Sequence, residues 1–136
     1  MAYEFITEDD RAQLCPDDDN LIQRYVAAVL YYSTEGDGWT ECFEGDRDCG
    51  EGLSYYGGKE AFLSEDSECD WAGLTCNRSG ELERIELHNN SIQSPIPTSL
   101  CDNTFPLGEL GVLTSDCAAA AGVEPLVECS CCTQCY

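Results

Sequence analysis

The sequence predicts a small mixed α/β domain, in which a short, disulfide-stapled solenoid carries a helical cap before it and a cysteine-rich cap after it. Three observations carry this. Residues 82–97 set apolar side chains at strand-and-return spacing, residues 19–33 set them at helical spacing, and 11 of the 136 residues are cysteine. A chain of this length is one domain and can bury a real core. A solenoid usually needs about three repeats before neighbours cover one another, and only one clear repeat is present, so cross-links must supply the rest. At roughly a twelfth of all residues, cysteine reaches the density of secreted disulfide scaffolds, each bridge contributing about 2–4 kcal/mol. An oxidising compartment follows.

Taken in order, residues 1–80 form the N-terminal cap. Asp18 or Asp19 is placed to cap a helix over about residues 19–33, whose apolar positions Leu21, Ile22, Tyr25, Val26, Val29 and Leu30 recur at three- and four-residue steps. Gly36 and Gly38 end it. Residues 41–67 are acidic and Gly-rich and read as an irregular excursion, pinned by Cys42 and Cys49 and by aromatic contacts from Tyr55, Tyr56 and Phe62. Residues 81–117 hold one clear repeat, ending near residue 103, and one degenerate repeat. In the first, a short strand beginning near Leu82 turns Ile85 and Leu87 inward and Arg84, Glu86 and His88 outward. Asn90 follows where the strand ends, and its amide is suited to satisfying backbone groups of the bend. Ile92 and Ile96 supply the next inward contacts, and Pro97 holds the extended return. Residues 107–117 read as the final strand, and residues 118–136 as a cysteine-tied C-terminal cap.

The run from Leu82 to Pro97, L-x-x-I-x-L-x-x-N-x-I-x-x-x-I-P, resembles the plant-type leucine-rich repeat, with Ser94 standing where that family has Gly. Upstream, Cys69-Asp-Trp-Ala-Gly-Leu-Thr-Cys76 resembles the motif that closes the N-terminal cap of such ectodomains, and residues 21–39 resemble the cap helix and the Trp after it. With the C-terminal cysteine run, the chain is most similar to the cysteine-rich leucine-rich repeat family of diatoms and related algae. The resemblance implies a Cys69–Cys76 disulfide and a Trp71 that plugs the open end of the core. It is specific for fold and weak for function, because repeats of this kind bind many unrelated ligands.

Pairing of the other cysteines is legible in part. Cys42 and Cys49 flank a compact acidic loop and are expected to bridge. Cys101, Cys117, Cys129, Cys131, Cys132 and Cys135 then make three bridges in any of fifteen connectivities, less those joining the neighbours Cys131 and Cys132, which fit disulfide geometry poorly. Cys15 is left over as a free thiol, as a competitor for one of the pairs or as an intermolecular link.

Charge bounds the partners. With 27 acidic against 6 basic residues, the formal net charge of −21 argues against nucleic acid and anionic membrane surfaces and permits a cationic protein partner or calcium. Solubility is the plainer account of it. No apolar run approaches the ~20 residues of a membrane span. The first ten residues lack the basic start and hydrophobic stretch of a signal peptide. A mature or excised ectodomain is therefore expected, secreted, at the cell surface or in another oxidising lumen, with Met1 an added start residue and no membrane insertion by this segment.

Little supports catalysis. The single histidine, His88, is expected to face solvent beside Glu86, and nothing nearby supplies a nucleophile, its base and a group to orient that base. No catalytic residue, cofactor or metal is assigned. The spacing in Cys129-x-Cys-Cys-x-x-Cys135 matches a metal knuckle, yet zinc sites want a second, separate C-x-x-C and usually a reducing compartment. The acidic residues Asp37, Glu44, Asp46, Asp48 and Glu51 offer hard oxygen ligands for calcium but follow no EF-hand order, and a solvated loop is the simpler reading. Asn77 and Asn89 head sequons for glycosylation.

The function expected is a non-catalytic protein-interaction module. Its ligand face would be Arg84, Glu86 and His88, with Glu109 and Thr114 contributing more weakly from the degenerate strand. The alternative is a structural subunit that self-assembles through an unpaired strand edge or Cys15. A polysaccharide-binding or inhibitor role rests only on analogy with plant relatives that carry the repeat.

Overall fold

The computed structural model describes residues 1–51, 56–92, 94–102, 104, 110–119, 125 and 127–136. The expected roles of Tyr55 and Glu109, and the start of the strand expected over residues 107–117, lie outside them.

The chain begins with a short helical turn, α1 (Ala2–Glu4), that widens into a π-type turn at Phe5–Asp9. The expected cap helix is present as α2 (Leu21–Ser33). Its N-cap is Asn20, with no side-chain cap bond, while Asp18 accepts from the Cys15 backbone N–H one turn earlier. The inward face also differs from the periodic reading. Arg24, Ala27, Ala28, Leu30 and Tyr31 are buried, whereas Ile22 is 70 % exposed. Two alanines let the helix approach the core closely, and Arg24 must face inward to meet Asp10, so the buried stripe is turned away from the most apolar one.

Beyond α2, Glu35 takes a left-handed conformation and Gly36–Gly38 makes a single 3-10 turn. Gly36 is required there, because a Cβ would stand 2.3 Å from the Tyr31 ring. Tyr31 opens an aromatic chain. It stacks on Phe62 at 5.7 Å and meets Trp39 edge-on at 5.2 Å, and Phe62 packs against Trp71 at 5.4 Å. Trp71 is fully buried. Within the excursion, Phe62 and Tyr56 are buried as expected, and Lys59 donates to the carbonyls of Cys69 and Leu74.

A four-stranded sheet follows, in the order β1 (Leu74–Cys76), β2 (Leu82–Glu86), β3 (Val112–Ser115), β4 (Gln134–Cys135). β1 and β2 are antiparallel with an irregularity at Thr75/Cys76, and β2, β3 and β4 run parallel. The register sets Ile85 between Leu74 and Leu113, a row of side chains at most 1 % exposed. Leu87, Ile92 and Ile96 continue that core as expected, and Pro97 leads in extended conformation into the short helix α3 (Thr98–Cys101).

Five disulfides close the fold: Cys42–Cys49, Cys69–Cys76, Cys101–Cys131, Cys117–Cys135 and Cys129–Cys132. The two pairs expected in the cap are present, Cys131 and Cys132 are not joined to each other, and Cys15 is a free, exposed thiol. This number of bridges fits an oxidising environment. Among the described residues no helix is long and apolar enough to cross a membrane.

Candidate functional site

The outward face of β2 is smaller than the sequence predicts. Arg84 and Glu86 reach it, their side chains 43 % and 21 % exposed, and they pair with each other at 3.1 Å. His88 does not face solvent. It is 2 % exposed, its Nδ1 lies 3.0 Å from the Thr114 hydroxyl, and its ring stacks on Tyr136 at 4.2 Å. The reason lies at the end of the chain. β4 pairs with β3, the Tyr136 N–H donates to the Ser115 carbonyl, and this lays the Tyr136 ring over the histidine. Thr114 is buried by the same arrangement.

Asn90 acts at longer range than expected. Its side-chain oxygen accepts the Glu41 N–H at 3.1 Å, joining the excursion to the end of the strand, and its own N–H donates to Asp116 beyond β3. The Tyr56 hydroxyl lies 3.1 Å from both the Glu86 and His88 carbonyls. Ser94, where the resembled family has Gly, donates to Glu35 at 3.2 Å.

A buried polar network that sequence reasoning missed joins α2 to the loops. The Arg24 guanidinium makes a two-bond fork with Asp10 at 2.6 and 2.7 Å, donates to the Ser64 and Asp66 carbonyls, and lies 4.6 Å over the Trp71 ring. Gln23 bridges Glu68, the Gly80 carbonyl and the Leu82 N–H. An arginine within an apolar helical stripe is the one sequence signal that pointed there.

The acidic residues of the excursion do not converge on one point. Asp37 accepts the Tyr31 hydroxyl, and Asp46 accepts the Cys42 and Asp48 N–H groups. Among the described residues, the only grouping of three or more potential metal ligands is sulfur: Cys117, Cys129 and Cys132. Of the two sequon asparagines, Asn77 spends its side chain on Ser79, Glu81 and their turn, while Asn89 is exposed.

Another concavity lies among the described residues, between the N-terminal turn, α2 and the excursion. It is a cleft of about 700 Å³ that Glu8, Asp9, Glu44, Glu65 and Asp66 line, with Tyr32 and the single cation Arg11. Burial pushes the Glu44 carboxyl above its ordinary range, Asp37 and Asp9 push the same way, and Arg11 opposes them. The Tyr32 hydroxyl is raised by burial first and by the nearby carboxylates next, Glu44 foremost. Such surroundings disfavour the charged form of Glu44 and favour an incoming positive charge.

Compared with family models, with curated proteins and with solved structures, the chain finds no match in any of the three.

Proposed function

We propose that this chain is a non-catalytic protein-interaction module, extracellular or lumenal, that receives a cationic segment of a partner in the acidic cleft. The observation that carries the reading is the cleft itself: five carboxylates and Tyr32 surround a space of about 700 Å³ beside one arginine. An acidic concavity attracts Lys- and Arg-rich segments and speeds their encounter. The parallel stacking of β2, β3 and β4 and the Trp71 plug support a short leucine-rich-repeat-type solenoid as its frame. Burial of the one histidine, between Thr114 and Tyr136, supports a role without chemistry.

Calorimetric titration with a lysine-rich peptide tests this. Binding that weakens steeply with salt, and by about tenfold in Asp9→Asn/Glu44→Gln, is expected, with Arg84→Ala unchanged. Equal binding by all three proteins, or none by the native chain, sinks the cleft as the site.

A second reading, a self-assembling structural subunit, is favoured by one observation: β4 is an outer strand of the sheet with Gln134 and Cys135 exposed, and such an edge can template another chain. Native mass spectrometry across protein concentrations separates the two readings, because only assembly makes the mass concentration-dependent.

A further inference from the structure

The sequence argument against a metal knuckle rests on the lack of a second C-x-x-C and on an oxidising compartment. The fold removes the first objection, and a site that forms only on reduction meets the second. Cys129 and Cys132 lie on one turn, Cys117 lies two residues beyond the end of β3, and β3–β4 pairing sets Cys135 beside Ser115. The sulfurs of Cys117, Cys129 and Cys132 all lie within 4.8 Å of one another, and that of Cys135 is bonded to Cys117. All three grouped cysteines are half-buried, within reach of a small reductant yet held by the fold. Thiolates around a tetrahedral zinc, with bonds of about 2.3 Å, stand roughly 3.8 Å apart.

We propose that this cluster is a redox-gated zinc site: reduction of Cys117–Cys135 and Cys129–Cys132 frees four thiols that together bind one Zn²⁺. The inference is independent of the cleft. Two equivalents of a dithiol supply the four electrons and four protons, each dithiol closing to its own cyclic disulfide. Zinc then displaces the four thiol protons to give a tetrathiolate of charge −2. In the oxidised protein all four sulfurs are committed to disulfide bonds and no thiolate is available. The frame does not depend on either bridge alone. Thr133 donates to the Leu113 carbonyl, Tyr136 to that of Ser115 and Ala118 to that of Tyr136, bonds that reduction does not break.

The test uses the full chain, oxidised or reduced with dithiothreitol, incubated with Zn²⁺ and freed of excess. Native mass spectrometry is expected to find one zinc per reduced chain and none per oxidised chain. Cys117→Ser/Cys135→Ser and Cys129→Ser/Cys132→Ser should each lower zinc affinity on the order of 100-fold, while Cys42→Ser/Cys49→Ser keeps it. Cobalt substitution should show a tetrahedral, thiolate-ligated spectrum that both C-terminal variants lose. If reduction unfolds the chain, recovery of the native circular dichroism on adding zinc supports the site, and failure to recover overturns it. It is equally overturned by a reduced native chain that holds no zinc, or by zinc held as tightly in both C-terminal variants.

Discussion

Arg24 shows how one residue can dominate a small core. Its charge is buried, forked onto Asp10 and close to Glu68, so removing it leaves carboxylates in a low-dielectric site without their cation. Breaking such a pair from one side costs about 3–5 kcal/mol. Arg24→Met is therefore expected to lower the urea-unfolding free energy by about that amount, and Asp10→Asn by less, because Arg24 keeps the Ser64 and Asp66 carbonyls. Glu44 acts in the opposite sense. A carboxyl raised above its ordinary value on folding opposes folding once ionised; the penalty is complete above the raised value and absent below the ordinary 4.5. Glu44→Gln should melt higher than the native chain at pH 7, and the gain should vanish as the pH falls below 4.5. A gain that persists in acid would point to packing instead.

Among the elements, the β1–β2 junction is the most demanding. Gly73 sits at φ +77°, and a Cβ there would stand 2.2 Å from the Glu86 carbonyl oxygen, whose residue also donates its N–H to the Gly73 carbonyl. Gly73→Ala must strain the backbone and part the strands, so a loss of at least about 2 kcal/mol is expected in denaturant unfolding. The helix α2 is more tolerant on its outer side. Ile22→Lys should leave unfolding within about 0.5 kcal/mol of the native value, since most of the Ile22 side chain lies in solvent. A large loss would place the inward face where the periodicity alone puts it.

For the whole molecule, cross-links tie a small mixed α/β fold together. Each covers a different span: two close loops in the cap, and three gather the chain around β3, β4 and α3. Removing Cys69–Cys76 as a double serine variant should cost about 2–4 kcal/mol. Alkylation of the unreduced chain should add one label, at Cys15, against 11 after full reduction. More than one label before reduction would show that a bridge is open in the native protein.

The sequence by itself determined the local elements and part of the cross-linking. Helical spacing placed α2 within two residues of its observed start, and the spacing of Ile85, Leu87, Ile92 and Ile96 marked the buried side of their segment correctly, because side-chain periodicity is a local property of the chain. The Cys69–Cys76 bridge was expected instead from the resemblance carried by the motif around Trp71, and it is present. Tertiary structure alone decided what happens where segments distant in sequence meet. Burial of His88 depends on Tyr136 arriving through β4, the fork on Arg24 depends on Asp10 folding back over α2, and the grouping of sulfurs depends on β3 pairing with β4. None of these has a local signature, since each is set by which strand edges and loops can pack together. The outward face that the alternation of β2 predicts is thereby reduced to a pair of charges, and the cleft proposed as the site is one that no single segment of the sequence announces.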